Sequence, residues 1–184
     1  MPALTKAVDF GGDLASFLAG YKYQPALTKR LDGLADESLT PELLNEIVLW
    51  KVNRYVELDA EQLRQIEDVR GLRPGAHRQA KRFLEKLLGV HGVDLPMAST
   101  FLRFRNPAVF QIIDRHAYRA LYGRKFPLFT ATPTKRKIEV YFAYLDDLHS
   151  LCEQKGLKFE TVDRVLYVFD KETNGSLAKG KNAE

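Results

Sequence analysis

Asp114, His116 and the glycine turn around Gly92-Val93 are the residues of this chain whose types and spacing offer chemistry. Between Leu87 and Tyr122 the sequence reads as a helix end, the turn Gly89-Val90-His91-Gly92-Val93-Asp94 and a helix from Leu95. A short connection through Asn106-Pro107 then leads to Ile112-Ile113-Asp114-Arg115-His116 and another helix. A tight turn feeding a helix start aims backbone N–H groups outward, and glycine permits the backbone angles that this needs. Such a turn suits one phosphate of a nucleic-acid backbone. Asp114 directly precedes Arg115-His116-Ala117-Tyr118, a good N-cap position, so helix capping stands beside any catalytic use of its carboxylate.

Gly92-Val93-Asp94-Leu95-Pro96-Met97-Ala98-Ser99, followed by Ile113-Asp114-Arg115-His116, resembles the hairpin and aspartate motifs of the helix-hairpin-helix (HhH-GPD) DNA glycosylase superfamily, and its endonuclease III-like branch above all. The resemblance implies an all-α, compact two-lobed fold whose partner is double-stranded DNA. It also implies an aspartate, here Asp114, that stabilises positive charge on the sugar as a glycosidic bond breaks. Gly92, Val93, Arg103, Arg105 and Arg115 are the expected DNA contacts, with Asn53 and Arg54 in the region that fills the gap left by an extruded base. Either that or an ordinary solvated helix face accounts for Asn53 and Arg54.

Three departures shape the expectation. Eighteen residues before Asp114, where bifunctional members carry a lysine, stands Pro96, which has no nucleophile. Any activity is therefore expected to be monofunctional. Asp94 replaces the second hairpin glycine; it either opposes a phosphate or caps the helix from Leu95, with Pro96 tolerated in the first turn. The single cysteine, Cys152, excludes a four-cysteine cluster and an intramolecular disulfide, so no cofactor is expected. The alternative to a monofunctional glycosylase is a non-catalytic DNA-binding module derived from the same fold. A helical scaffold without a nucleic-acid role leaves the charge distribution without a cause.

That distribution is uneven. The net charge is only +4, yet the stretch from Leu95 to Arg136 holds eight basic residues against the single acid Asp114, a local +7 that leaves −3 for the rest. A basic strip in a mildly acidic protein is the footprint of a phosphate-backbone partner. Arg70, Arg73, Arg78, Lys81 and Arg82 make a second basic stretch, explained by backbone contact or by solubility. His77, His91, His116 and His149 show no paired metal-ligand spacing, so no metal is expected. No apolar run approaches a bilayer span and the first twelve residues carry charges, so a cytoplasmic protein is expected, nucleoid-associated in a bacterium.

Helices must position these residues. Apolar side chains recur at three- and four-residue steps, and no long two-residue alternation appears. The pattern predicts helices near 13–21, 25–35, 41–55, 60–70, 77–88, 95–105, 115–122, 133–155 and 160–171, in one domain spanning 1–172 with a disordered tail at 173–184. The longest puts Ile138, Tyr141, Leu145, Leu148 and Cys152 on its apolar stripe, with Lys135, Lys137, Asp146 and Glu153 turned elsewhere. Trp50 is expected in the core.

Overall fold

A computed structural model describes residues 11–13, 16, 18–19, 24–33, 40–51, 56 and 58–175. Among the described residues the chain is all-helical, with no strand. It divides into two units, Met1–Tyr55 and Val56–Glu184.

The first unit holds α1 (Pro25–Asp32) and α2 (Pro41–Lys51), both begun by a proline whose missing N–H would be unpaired in a first turn anyway. Trp50 is half-buried, and its indole N–H donates to Thr28 Oγ1 at 2.8 Å, tying α2 to α1. Arg30 and Glu46 pair across the same two helices at 3.0 Å. The predicted extension of α2 to residue 55, and with it Asn53 and Arg54, lies outside the described residues, as does most of the predicted helix at 13–21.

The second unit begins at α3 (Ala60–Asp68), whose start is fixed by a reciprocal capping box. The Gln62 N–H donates to Asp59 Oδ1, and the Asp59 N–H donates to Gln62 Oε1. A 3-10 turn at His77–Ala80 runs into α4 (Lys81–Leu87), so the helix predicted at 77–88 starts as a tighter coil. There follow α5 (Leu95–Arg105), α6 (Arg115–Tyr122), α7 (Thr134–Lys155) and α8 (Val162–Thr173). Both α6 and α7 end on glycines in the left-handed region, Gly123 (φ 65°) and Gly156 (φ 64°). Residues 176–184 of the predicted tail lie outside the described residues, and α8 carries the helix through Thr173.

The core of this unit gathers around α7. Tyr141, Tyr144, Leu145 and Leu148 are sealed against Leu84 and Leu87 of α4, Leu95 and Leu102 of α5, and Phe110 and Ile113 between α5 and α6. Truncating one of these leucines to alanine would cost about 2 to 5 kcal/mol. One expectation is corrected: Lys137 is not turned out to solvent but is buried on the face of α7 that carries Tyr141 and Tyr144. It is accommodated there because its ammonium meets a carboxylate and a carbonyl.

Candidate nucleic-acid interface

Helices α4 and α5 are joined by the turn at residues 88–94, a helix–turn–helix at the predicted place. Gly92 adopts φ 81°, a conformation that side chains rarely take, and is exposed at the apex. Val93 points the other way, buried in the core, and its N–H closes the turn on the Val90 carbonyl at 3.1 Å. Among the described residues the N–H groups of Gly92 and Asp94 have no acceptor. The turn therefore offers one open donor at the outward Gly92 and a second, two residues on, at half-buried Asp94.

Asp94 is the N-cap of α5: its Oδ1 accepts from the Leu95 N–H at 2.7 Å, and Pro96 occupies the first turn where proline is tolerated. The same Oδ1 lies 2.7 Å from Lys137 Nζ, and the Lys137 ammonium also donates to the Thr130 carbonyl at 3.0 Å. The charge that would oppose a phosphate is thus balanced from within the fold.

Asp114 follows an irregular, largely buried stretch, 106–113, several of whose polar groups find partners on surrounding helices, although the Gln111 side-chain carbonyl accepts no bond. Tyr141 and Tyr144 of α7 donate their hydroxyls to the carbonyls of Gln111 (3.0 Å) and Ile112 (2.9 Å). The Ile113 N–H donates to Ser99 Oγ of α5 at 3.2 Å, and the Ile112 N–H to Asp163 Oδ2 of α8 at 3.4 Å. Asn106 reaches back to the carbonyls of Val69 (2.8 Å) and Leu72 (3.0 Å). Burial holds both tyrosine hydroxyls far above their usual pKa, so they act as fixed donors. The stretch delivers Asp114 to the N-cap of α6, where Oδ1 accepts from the Ala117 N–H at 2.7 Å. Beside it opens a recess of about 170 Å³, walled by Ile112, Ala117, Arg164, Tyr167 and Val168.

The remaining predicted residues are not gathered at one surface. Arg103 is buried, its guanidinium 3.5 Å from Asp163 Oδ2 and donating to the Glu160 carbonyl at 3.0 Å, so it ties α5 to the start of α8. Arg105 pairs with Glu67 of α3. Arg115 is exposed and makes no ion pair among the described residues. His116 is engaged internally. Its Nδ1 donates to Asp170 Oδ2 at 2.7 Å, while Arg119 grips both oxygens of the same carboxylate at 2.8 Å. Asp170 is fully buried on α8, and Arg119 above all, with Asn174 and His116, holds its carboxyl far below the usual range.

Sequence reasoning missed Lys137, Asp163, Asp170 and the two tyrosine donors. A helical-wheel signal existed for Lys137, four residues before Tyr141, and for Asp170, four residues after buried Leu166. Among the described residues no three His, Cys, Asp or Glu side chains converge as a metal-binding set, and no helix is long and apolar enough to cross a membrane. Family models, curated proteins and solved structures supply no match to this chain.

Proposed function

We propose that the chain is a DNA-binding protein with the two-lobed, single-domain helical fold of the helix-hairpin-helix glycosylases. It grips duplex DNA at the Gly92 turn and hydrolyses the N-glycosidic bond of a flipped, damaged or modified base. Asp114 is the catalytic carboxylate, and Pro96 leaves no amine to cut the strand. The observation that carries this reading is the turn itself, with unpaired N–H donors at exposed Gly92 and at Asp94, whose carboxylate is already balanced by Lys137. Exposed Arg115 supplies a cation at the start of the helix that follows Asp114.

A non-catalytic DNA-binding module is the second reading, favoured by the cap bond from Ala117 that gives Asp114 a complete structural role. Lesion-bearing duplexes incubated with the protein and then treated with alkali separate the two. A monofunctional glycosylase yields strand breaks only after alkali, at one class of lesion. Binding without alkali-labile sites in any duplex leaves the module.

A further inference from the structure

The loop between α6 and α7 holds one aromatic side chain in the open. Phe126 packs edge-on against Tyr118 at 5.4 Å and Leu128 is buried, but Phe129 is 74% exposed. Its backbone is nonetheless clamped. The Phe129 N–H donates to Thr132 Oγ1 at 2.9 Å, the Thr132 N–H donates to the Phe129 carbonyl at 2.9 Å, and Lys137 holds the Thr130 carbonyl. A solvent-facing phenylalanine on a clamped backbone gains nothing for the isolated fold, whereas it meets a partner with little further loss of backbone freedom.

Position and charge say which partner. The Lys137 ammonium that holds Thr130 also holds Asp94, so this turn and the Gly92 hairpin meet at one cation. Lys125 and Lys135 flank the turn, both exposed and neither in an ion pair among the described residues, and no acid occurs from Arg115 to Lys137. An aromatic face among unbalanced cations fits a nucleobase with its phosphates, since stacking uses the ring and the lysines meet the backbone. We infer that the Phe129–Thr132 turn is a base-stacking contact, which places Phe129 against a nucleobase exposed at an interruption in duplex DNA held by the hairpin.

This inference rests on the duplex-binding reading above, and the test keeps the two apart. Two duplexes of one sequence, continuous and with a one-nucleotide gap, are titrated with wild type, Phe129→Ala and Phe129→Trp at fixed salt. Wild type should prefer the gapped duplex by about five- to 150-fold, the range of one aromatic stack. Phe129→Ala should lose that preference and keep its affinity for the continuous duplex. Phe129→Trp should retain it, with tryptophan emission quenched by the gapped duplex beyond any change seen in wild type. A preference that survives in Phe129→Ala, or equal binding of both duplexes by wild type, overturns the stacking role and leaves the hairpin reading standing. Failure of wild type to bind either duplex removes both. Phe129-dependent binding to anionic phospholipid vesicles without a gap preference overturns it in favour of a membrane surface.

Discussion

Lys137 Nζ lies 2.7 Å from Asp94 Oδ1, which places the cation of a buried lysine under the one acidic residue of the hairpin turn. The pair explains how an aspartate stands where a phosphate-docking turn would favour glycine. It predicts that Lys137→Met destabilises the fold by about 1 to 3 kcal/mol, less than a fully buried broken pair because Asp94 is half-exposed. DNA affinity at low salt should fall further than that loss explains, and adding Asp94→Asn, which keeps the cap, should restore much of it. Chemical denaturation and duplex titration of wild type and the two variants check this; full affinity in Lys137→Met contradicts it.

The tyrosine hydroxyls over residues 111 and 112 act as positioning groups for Asp114. Tyr144→Phe removes the donor to the Ile112 carbonyl and leaves a part-buried acceptor unpaired, at a cost of about 1 to 3 kcal/mol. If Asp114 is the catalytic carboxylate, duplex affinity should be kept, because the hairpin is untouched, and base release should slow. Equal loss of affinity and turnover would mean that the substitution disturbs the whole unit.

Acid should unfasten α6 from α8. An aspartate in the unfolded chain titrates near pH 4, while Asp170 in the fold stays ionised to far lower pH, chiefly because of Arg119. Its contribution is therefore complete above about pH 4 and is lost as pH falls below that value toward the folded pKa. Asp170→Asn should be less stable than wild type at pH 7, and the gap in urea midpoint should narrow from about pH 4 downward. A gap that is constant over that range contradicts the assignment.

Much of the helical frame was legible from apolar spacing and end signals: Asp59 with Gln62, Asp94, Asp114, Gly123 and Gly156 all sit at helix ends. The beginning of α4 was less so, because a 3-10 coil and an α-helix share nearly the same apolar spacing over one turn. Charge partners were not legible at all. Arg103 and Arg115 look alike in a basic strip, yet Arg103 turns inward because Asp163, sixty residues on, is buried opposite it, whereas Arg115 faces solvent. Sequence supplies the sign of a side chain and the face it occupies; only the packing of α5 on α8 supplies its counter-ion.

Asp114→Asn separates cap from catalyst. Asparagine caps a helix about as well as aspartate, so the melting point should correspond to a change within about 1 kcal/mol. If the carboxylate meets the developing sugar cation, base release drops by orders of magnitude while duplex binding is kept. Undiminished release by the variant would leave Asp114 as a cap alone.

If the exposed Gly92 turn docks on DNA phosphates, the affinity of wild type and Gly92→Ala for an undamaged duplex across a salt series shows it. Wild-type affinity should fall linearly on a log–log plot, by roughly one unit of slope per phosphate contacted. Gly92→Ala, strained at φ 81°, should bind more weakly at every salt while remaining folded. Wild-type affinity that is absent or indifferent to salt, or an alanine variant that binds as tightly as wild type, would contradict the account.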